Sequence, residues 1–184
     1  MGEEMSLLDE QLKVAQEKGL LVNIYRDHYD DSPRFCRINA VSEYCIYATC
    51  FNDDGEYDGV TICRKDHVTR IRWGGTDRES QRRLVERSGP IPAAPEVNLA
   101  TLKDIIESVQ KQFGYVTVAA EAINRDTVYI GEVVSVDADH LILNEYGSKD
   151  AMDRSMLVID MDEITLVDAD GKYEKTILFL HNAI

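Results

Sequence analysis

Apolar residues recur at helical spacing in two stretches of this chain, and each stretch leads into a series of short β-type runs. In the first, Leu8, Leu12 and Ala15 fall on one face. Ser6 with Asp9 three residues on makes a capping-box start, and Gly19 supplies the stop. In the second, Leu102, Ile106, Val109 and Phe113 form the stripe, with Asn98 as the expected cap and Gly114 as the stop. Runs rich in β-branched and aromatic residues then predict five strands in each half. The first set lies near 20–25, 34–41, 44–51, 59–63 and 67–72, and the second near 115–122, 128–136, 140–146, 155–160 and 163–168. Turn clusters such as Asn52-Asp53-Asp54-Gly55 separate them. Thr76 with Glu79 predicts a further short helix through Leu84, while the tail from Gly171 reads equally as helix or added strand.

The two halves also match residue by residue. Residues 20–87 lie over 115–181 with two single-residue gaps. Val22 falls on Val116, Ile38 on Val133, Val41 on Val136 and Ile46 on Ile142; Asp66 falls on Asp162, Val68 on Ile164, Ile71 on Val167 and Leu84 on Leu180. Matched apolar positions in a matched order read as one small fold built twice. The expected architecture is mainly β with short helices: two tandem repeats, each an N-terminal helix plus a five-stranded, strongly bent small β-barrel. Five strands of this length have too little surface for a sandwich, and bending into a barrel removes most exposed edges. The expected domains are 1–87 and 98–184, each around its own apolar centre. The proline-rich stretch at 88–97 (SGPIPAAPEV) is the linker.

Composition adds that the chain belongs among soluble globular proteins, with 44% hydrophobic and 29% charged residues. No apolar run approaches the roughly 18 residues of a membrane span, and the acidic start MGEEMSLLDEQLK does not resemble a secretory signal. A cytoplasmic protein is expected, with no membrane contact. Cys36, Cys45, Cys50 and Cys63 all lie in the first half, form no CxxC, and read as reduced thiols. A net charge of −14 argues against wholesale binding to a nucleic-acid backbone. The charge is uneven, however. Residues 64–87 carry eight Lys or Arg against four acids, a balance of +4, so the remainder carries −18.

One helix followed by five bent strands is the order of the Sm-like fold, and IGEVVSVDADHLIL in the second half resembles that family's first signature segment. Gly131 sits where those proteins bend their second strand, and Asp137 follows at the family's spacing. Ile71-Arg72-Trp73-Gly74 loosely echoes the second signature, in which a basic residue precedes glycine. The resemblance implies a small barrel of a family with RNA-binding members, and SH3-like barrels share much of this geometry. RNA-binding members carry an asparagine after the aspartate, where this chain has His140 and Leu141.

Candidate chemistry is sparse. Asp54-Gly55-Glu56-Tyr57-Asp58-Gly59 imitates a calcium loop, but its twelfth position is Lys65 rather than glutamate, so an acidic hairpin is the simpler reading. Asp137, Asp139, Asp160, Asp162 and Glu163 fall at predicted strand ends and turns, where solvated carboxylates are expected. No catalytic residue, metal or cofactor is expected. The binding candidates are Arg64, Arg70, Arg72, Trp73, Arg82 and Arg83, since an aromatic flanked by arginines can stack a base or anchor a partner. The charge balance favours a protein partner or self-association, with RNA or single-stranded nucleic acid as the alternative.

Overall fold

A computed structural model describes residues 6–149 and 153–182. Ser6 caps α1 (Leu7–Glu17) by accepting the Asp9 N–H, and Leu12 and Ala15 are buried, as the spacing predicts. Helix α3 (Leu102–Phe113) starts later than expected. Its cap is Thr101, which accepts the Asp104 N–H at 3.1 Å, while the Asn98 carboxamide accepts the Ala100 N–H just upstream. A left-handed Gly114 ends it. Helix α2 (Gly75–Ser88), by contrast, begins ahead of its predicted cap: Gly74 precedes it, and Thr76 lies inside the first turn. The tail resolves as a helix, α4 (Lys172–Asn182).

The strands fall close to their predicted places. They are β1 (Leu21–Tyr25), β2 (Arg34–Val41), β3 (Cys45–Phe51), β4 (Tyr57–Arg64) and β5 (Arg70–Arg72), then β6 (Val116–Ala119), β7 (Val128–Val136), β8 (His140–Glu145), β9 (Ser155–Asp160) and β10 (Leu166–Ala169). A single 3₁₀ turn leads into the last strand of each half, Lys65–His67 before β5 and Met161–Glu163 before β10. A register shift interrupts the second strand at matching points, Ile38/Ala40 in β2 and Val133/Ser135 in β7. Such shifts bend a sheet. Pairing also corrects one detail of the internal alignment. The residue that stands second in β8, buried like Ile46 in β3, is Leu141 rather than Ile142.

The main departure is that the halves do not close separately. All ten strands form one open antiparallel sheet in the order β5-β1-β2-β3-β4-β10-β6-β7-β8-β9. At its centre β4 pairs with β10, Val60 to Cys63 lying against Ala169 to Leu166. The reason is elementary: the outer edge of β4 carries unpaired N–H and C=O groups, and β10 satisfies them. Two separate five-stranded barrels with separate centres are therefore replaced by a shared sheet. Successive side chains point to opposite faces of a strand, so the seam feeds two apolar clusters at once. Cys63, Ala119 and Leu166 join Leu12, Val22, Ile24, Ile38 and Ile46 in one. Tyr47, Val60, Ile62 and Val167 join Ile106, Val109, Val118, Leu141 and Leu143 in the other.

The linker stretch after Ser88 has no regular structure but is not loose. Ala94, Val97 and Leu99 pack against the second cluster, and the Tyr47 hydroxyl donates to the Pro95 carbonyl at 2.9 Å. Gly131 and Gly59 are among the glycines required by close approach of backbone. At Gly131 an added Cβ would lie 2.6 Å from the Asn144 carbonyl oxygen, and at Gly59 (φ +86°) it would lie 2.3 Å from the Ala169 carbonyl oxygen. Gly59→Ala should therefore lower stability by about 1–3 kcal/mol, read as a lower urea midpoint with an unchanged denaturant slope. An unaltered midpoint would show that β4 and β10 need not approach so closely.

Candidate functional site

Three features of the structure can bear on function: a buried ionic tie beside the seam, the basic residues of the first half, and the two outer edges of the sheet. The tie begins at Arg26, just beyond β1. Its side chain is fully buried, and its guanidinium donates to both Glu121 oxygens at 2.7 and 3.0 Å and to Asp30 at 2.9 Å. The Thr165 hydroxyl donates to Glu121 at 2.5 Å and anchors the carboxylate to the turn before β10. Burial pushes the Glu121 carboxyl up, but Arg26 and Thr165 outweigh it and hold it below its ordinary value. This pair joins the halves, as does Arg34 of β2, whose guanidinium donates to Asp168 of β10 at 2.9 Å. Its role is cohesion.

The six binding candidates do not form one patch. Arg64 closes β4 and is held by Asp66 at 2.7 Å. Arg70 lies on β5, doubly bonded to Asp27 at 2.6 and 2.8 Å and stacked 4.0 Å over the Tyr25 ring. Arg72 lies 6.0 Å from the same ring, on the same strand. Arg82 and Arg83 are on the exposed face of α2, where both meet Glu79 and Arg82 also meets Glu86. Four of the five arginines thus have carboxylate partners, one of them, Asp27, from outside the band. Exposed pairs of this kind contribute little to stability. Trp73 follows β5 directly and is 40% exposed.

The acidic hairpin and the carboxylate-rich turns serve the fold. Asn52 accepts the N–H groups of Asp54 and Glu56, and Glu56 and Asp58 both bond Lys172 at the start of α4. Asp137 accepts the N–H groups of Asp139 and His140, and Asp160 accepts that of Asp162. These are side-chain turns of the ordinary kind.

Sequence reasoning did not single out the other outer edge. In β9, Met156 is 62% exposed and Val158 60%, while Ile159 is buried. The strand was legible as a short apolar run, but its place at the rim was not. A second feature missed is a cavity of about 560 Å³ lined by Tyr44, Cys45, Arg64, Leu99, Leu102 and Met161, among others, where the two halves and the linker meet. No helix among the described residues is long and apolar enough to cross a membrane. No family model matches the chain, and no curated protein or solved structure matches it either.

The ionic tie yields a test. Glu121→Gln should destabilise the protein by about 3 kcal/mol, because a buried guanidinium loses its counter-charge. Replacing both partners (Arg26→Met with Glu121→Leu) should recover most of that loss in urea unfolding. The sign with pH follows from the lowered Glu121 value. Its contribution is present above the ordinary carboxylate range and fades as pH falls through the folded value. The Glu121→Gln variant should therefore show a flatter loss of stability on acidification.

Proposed function

We propose that the chain is a tandem of two Sm-like or SH3-like units, residues 1–87 and 98–184 joined by 88–97, working as a non-catalytic scaffold that assembles proteins in the cytoplasm through strand edges. Its first partner is another copy of itself. The observation that carries this reading is the relation between the seam and the edges. Counting from the 3₁₀ turns and the strand registers, β9 occupies in the second half the place of β4, and β5 occupies in the first half the place of β10. The seam uses β4 and β10; the rim leaves β9 and β5 unpaired on their outer sides.

Transferring the seam register gives a definite junction between copies. Leu166, Val167, Asp168 and Ala169 face Cys63, Ile62, Thr61 and Val60 within the chain. By the same spacing Arg70 would face Ile159, Ile71 would face Val158, Arg72 would face Leu157 and Trp73 would face Met156. The exposed apolar residues of the two rims would then cover one another. A bare apolar edge strand is a liability that natural proteins cover or charge, and adding a strand to a sheet edge is a common mode of protein recognition.

Light scattering over a concentration series tests this. The wild type should exceed the mass of one chain, and Met156→Lys with Val158→Lys, both at exposed positions, should return it to one chain with its circular dichroism unchanged. A wild type of single-chain mass throughout the series would overturn the reading. So would assembly that ignores the two lysines. The nucleic-acid alternative is weakened by the internal pairing of the arginines. Filter binding of single-stranded RNA that falls steeply with salt, and is lost in Arg70→Glu with Arg72→Glu, would put it ahead of the scaffold.

A further inference from the structure

Two of the four cysteines are placed for chemistry that neither the seam nor the rim uses. Cys36 in β2 and Cys50 in β3 are direct partners in the ladder, and their sulfur atoms are 2.9 Å apart. Partners across an antiparallel pair have Cα atoms about 4.5–5.5 Å apart, inside the span of about 4.4–6.8 Å that a disulfide bridges. Joining them needs side-chain rotation and no movement of the strands. The other two thiols lack this arrangement: Cys45 faces Arg64 and Cys63 faces Ile46.

Access is unequal, in a way that suits two steps. Cys36 is fully buried, and burial pushes its thiol well above the ordinary range. Cys50 is half-buried and lines a cavity of about 380 Å³, together with Arg34, Thr117, Asp168 and Glu174. The Arg34 guanidinium sits at the wall of this cavity, paired with Asp168. Thr117 and Glu174 line the inner wall beside it, both largely buried.

We propose that Cys36 and Cys50 form a reversible dithiol–disulfide pair, oxidised by hydroperoxides that reach Cys50 through this cavity. In the first step the Cys50 sulfur attacks one peroxide oxygen. The O–O bond breaks, Cys50 becomes a sulfenic acid, and the other oxygen leaves as water or alcohol with the thiol proton. In the second step the Cys36 sulfur attacks Cys50. The S–S bond forms, the S–O bond breaks, and the Cys36 proton leaves with the hydroxide as water. A small thiol reverses the bridge by exchange. Cys36 is the resolving partner.

The test treats the native full chain with a small excess of hydrogen peroxide and reads intact mass, then maps the cysteines by differential alkylation. The wild type should lose two hydrogens and yield one linked peptide pair, Cys36 with Cys50. Dithiothreitol should restore the original mass, and Cys45 and Cys63 should stay alkylatable once the protein is unfolded. In Cys36→Ala the reaction should stop at a Cys50 sulfenic acid that dimedone traps. In Cys50→Ser, the milder substitution because the site is only half-buried, no bridge should form. A bridge through Cys45 or Cys63 would overturn the proposal. So would sulfinic acid at Cys50 in the wild type with no bridge, or no reaction at a peroxide level that oxidises free cysteine. None of these readouts depends on assembly.

Discussion

The structure depends on the pairing of β4 with β10. Strands of four to eight residues leave a large share of their backbone groups at the rim of any small sheet, and each unpaired group buried away from water costs free energy. Placing β10 between β4 and β6 satisfies both of its own sides and one side of β4. The cores follow from that choice. Leu166 and Ala119 complete the apolar cluster under α1, and Tyr47, Val60 and Ile62 complete the one under α3. Neither half contains all the side chains its helix covers. Arg26 with Glu121, Arg34 with Asp168 and the Tyr57 hydroxyl with Asp170 then fix the alignment around the seam.

Much of this was written locally and could be read locally. Runs of β-branched and aromatic residues bounded by turn clusters placed all ten strands within a few residues, and the Ser6 capping box and Gly114 marked true helix ends. Errors arose where two local signals competed. Asn98 and Thr101 are both cap-type residues just ahead of the apolar stripe, four and one positions before Leu102, and in the fold it is Thr101 that accepts the Asp104 N–H. The one-residue slip at Ile142 has a similar origin, since Leu141 and Ile142 are equally apolar and only the ladder shows which is buried. The seam itself was invisible. Whether a strand edge closes on its own half or on a neighbour leaves no mark on the order of apolar and polar residues.

The candidate site shows the same limit in electrostatic form. A run of eight cations among four acids looks like a patch when read along the chain. In three dimensions Arg70 meets Asp27 from the loop between β1 and β2, while Arg82 and Arg83 share Glu79 on one helix face. Charge that is paired at contact distance has little field left to act on a polyanion a Debye length away. What distinguishes the first-half rim is therefore less its charge than its position, with Ile71 and the exposed Trp73 beside an open strand edge.

The packed linker has one more implication. Because Tyr47 holds Pro95, and Ala94, Val97 and Leu99 lie in a core built by both halves, the peptide connection is mechanically redundant. A chain nicked near Gly89 would keep its two fragments together through four ladder pairs and two shared cores. The covalent link matters most before folding, when it holds one half at high effective concentration near the other. In the finished molecule it is a strap over an interface that already holds.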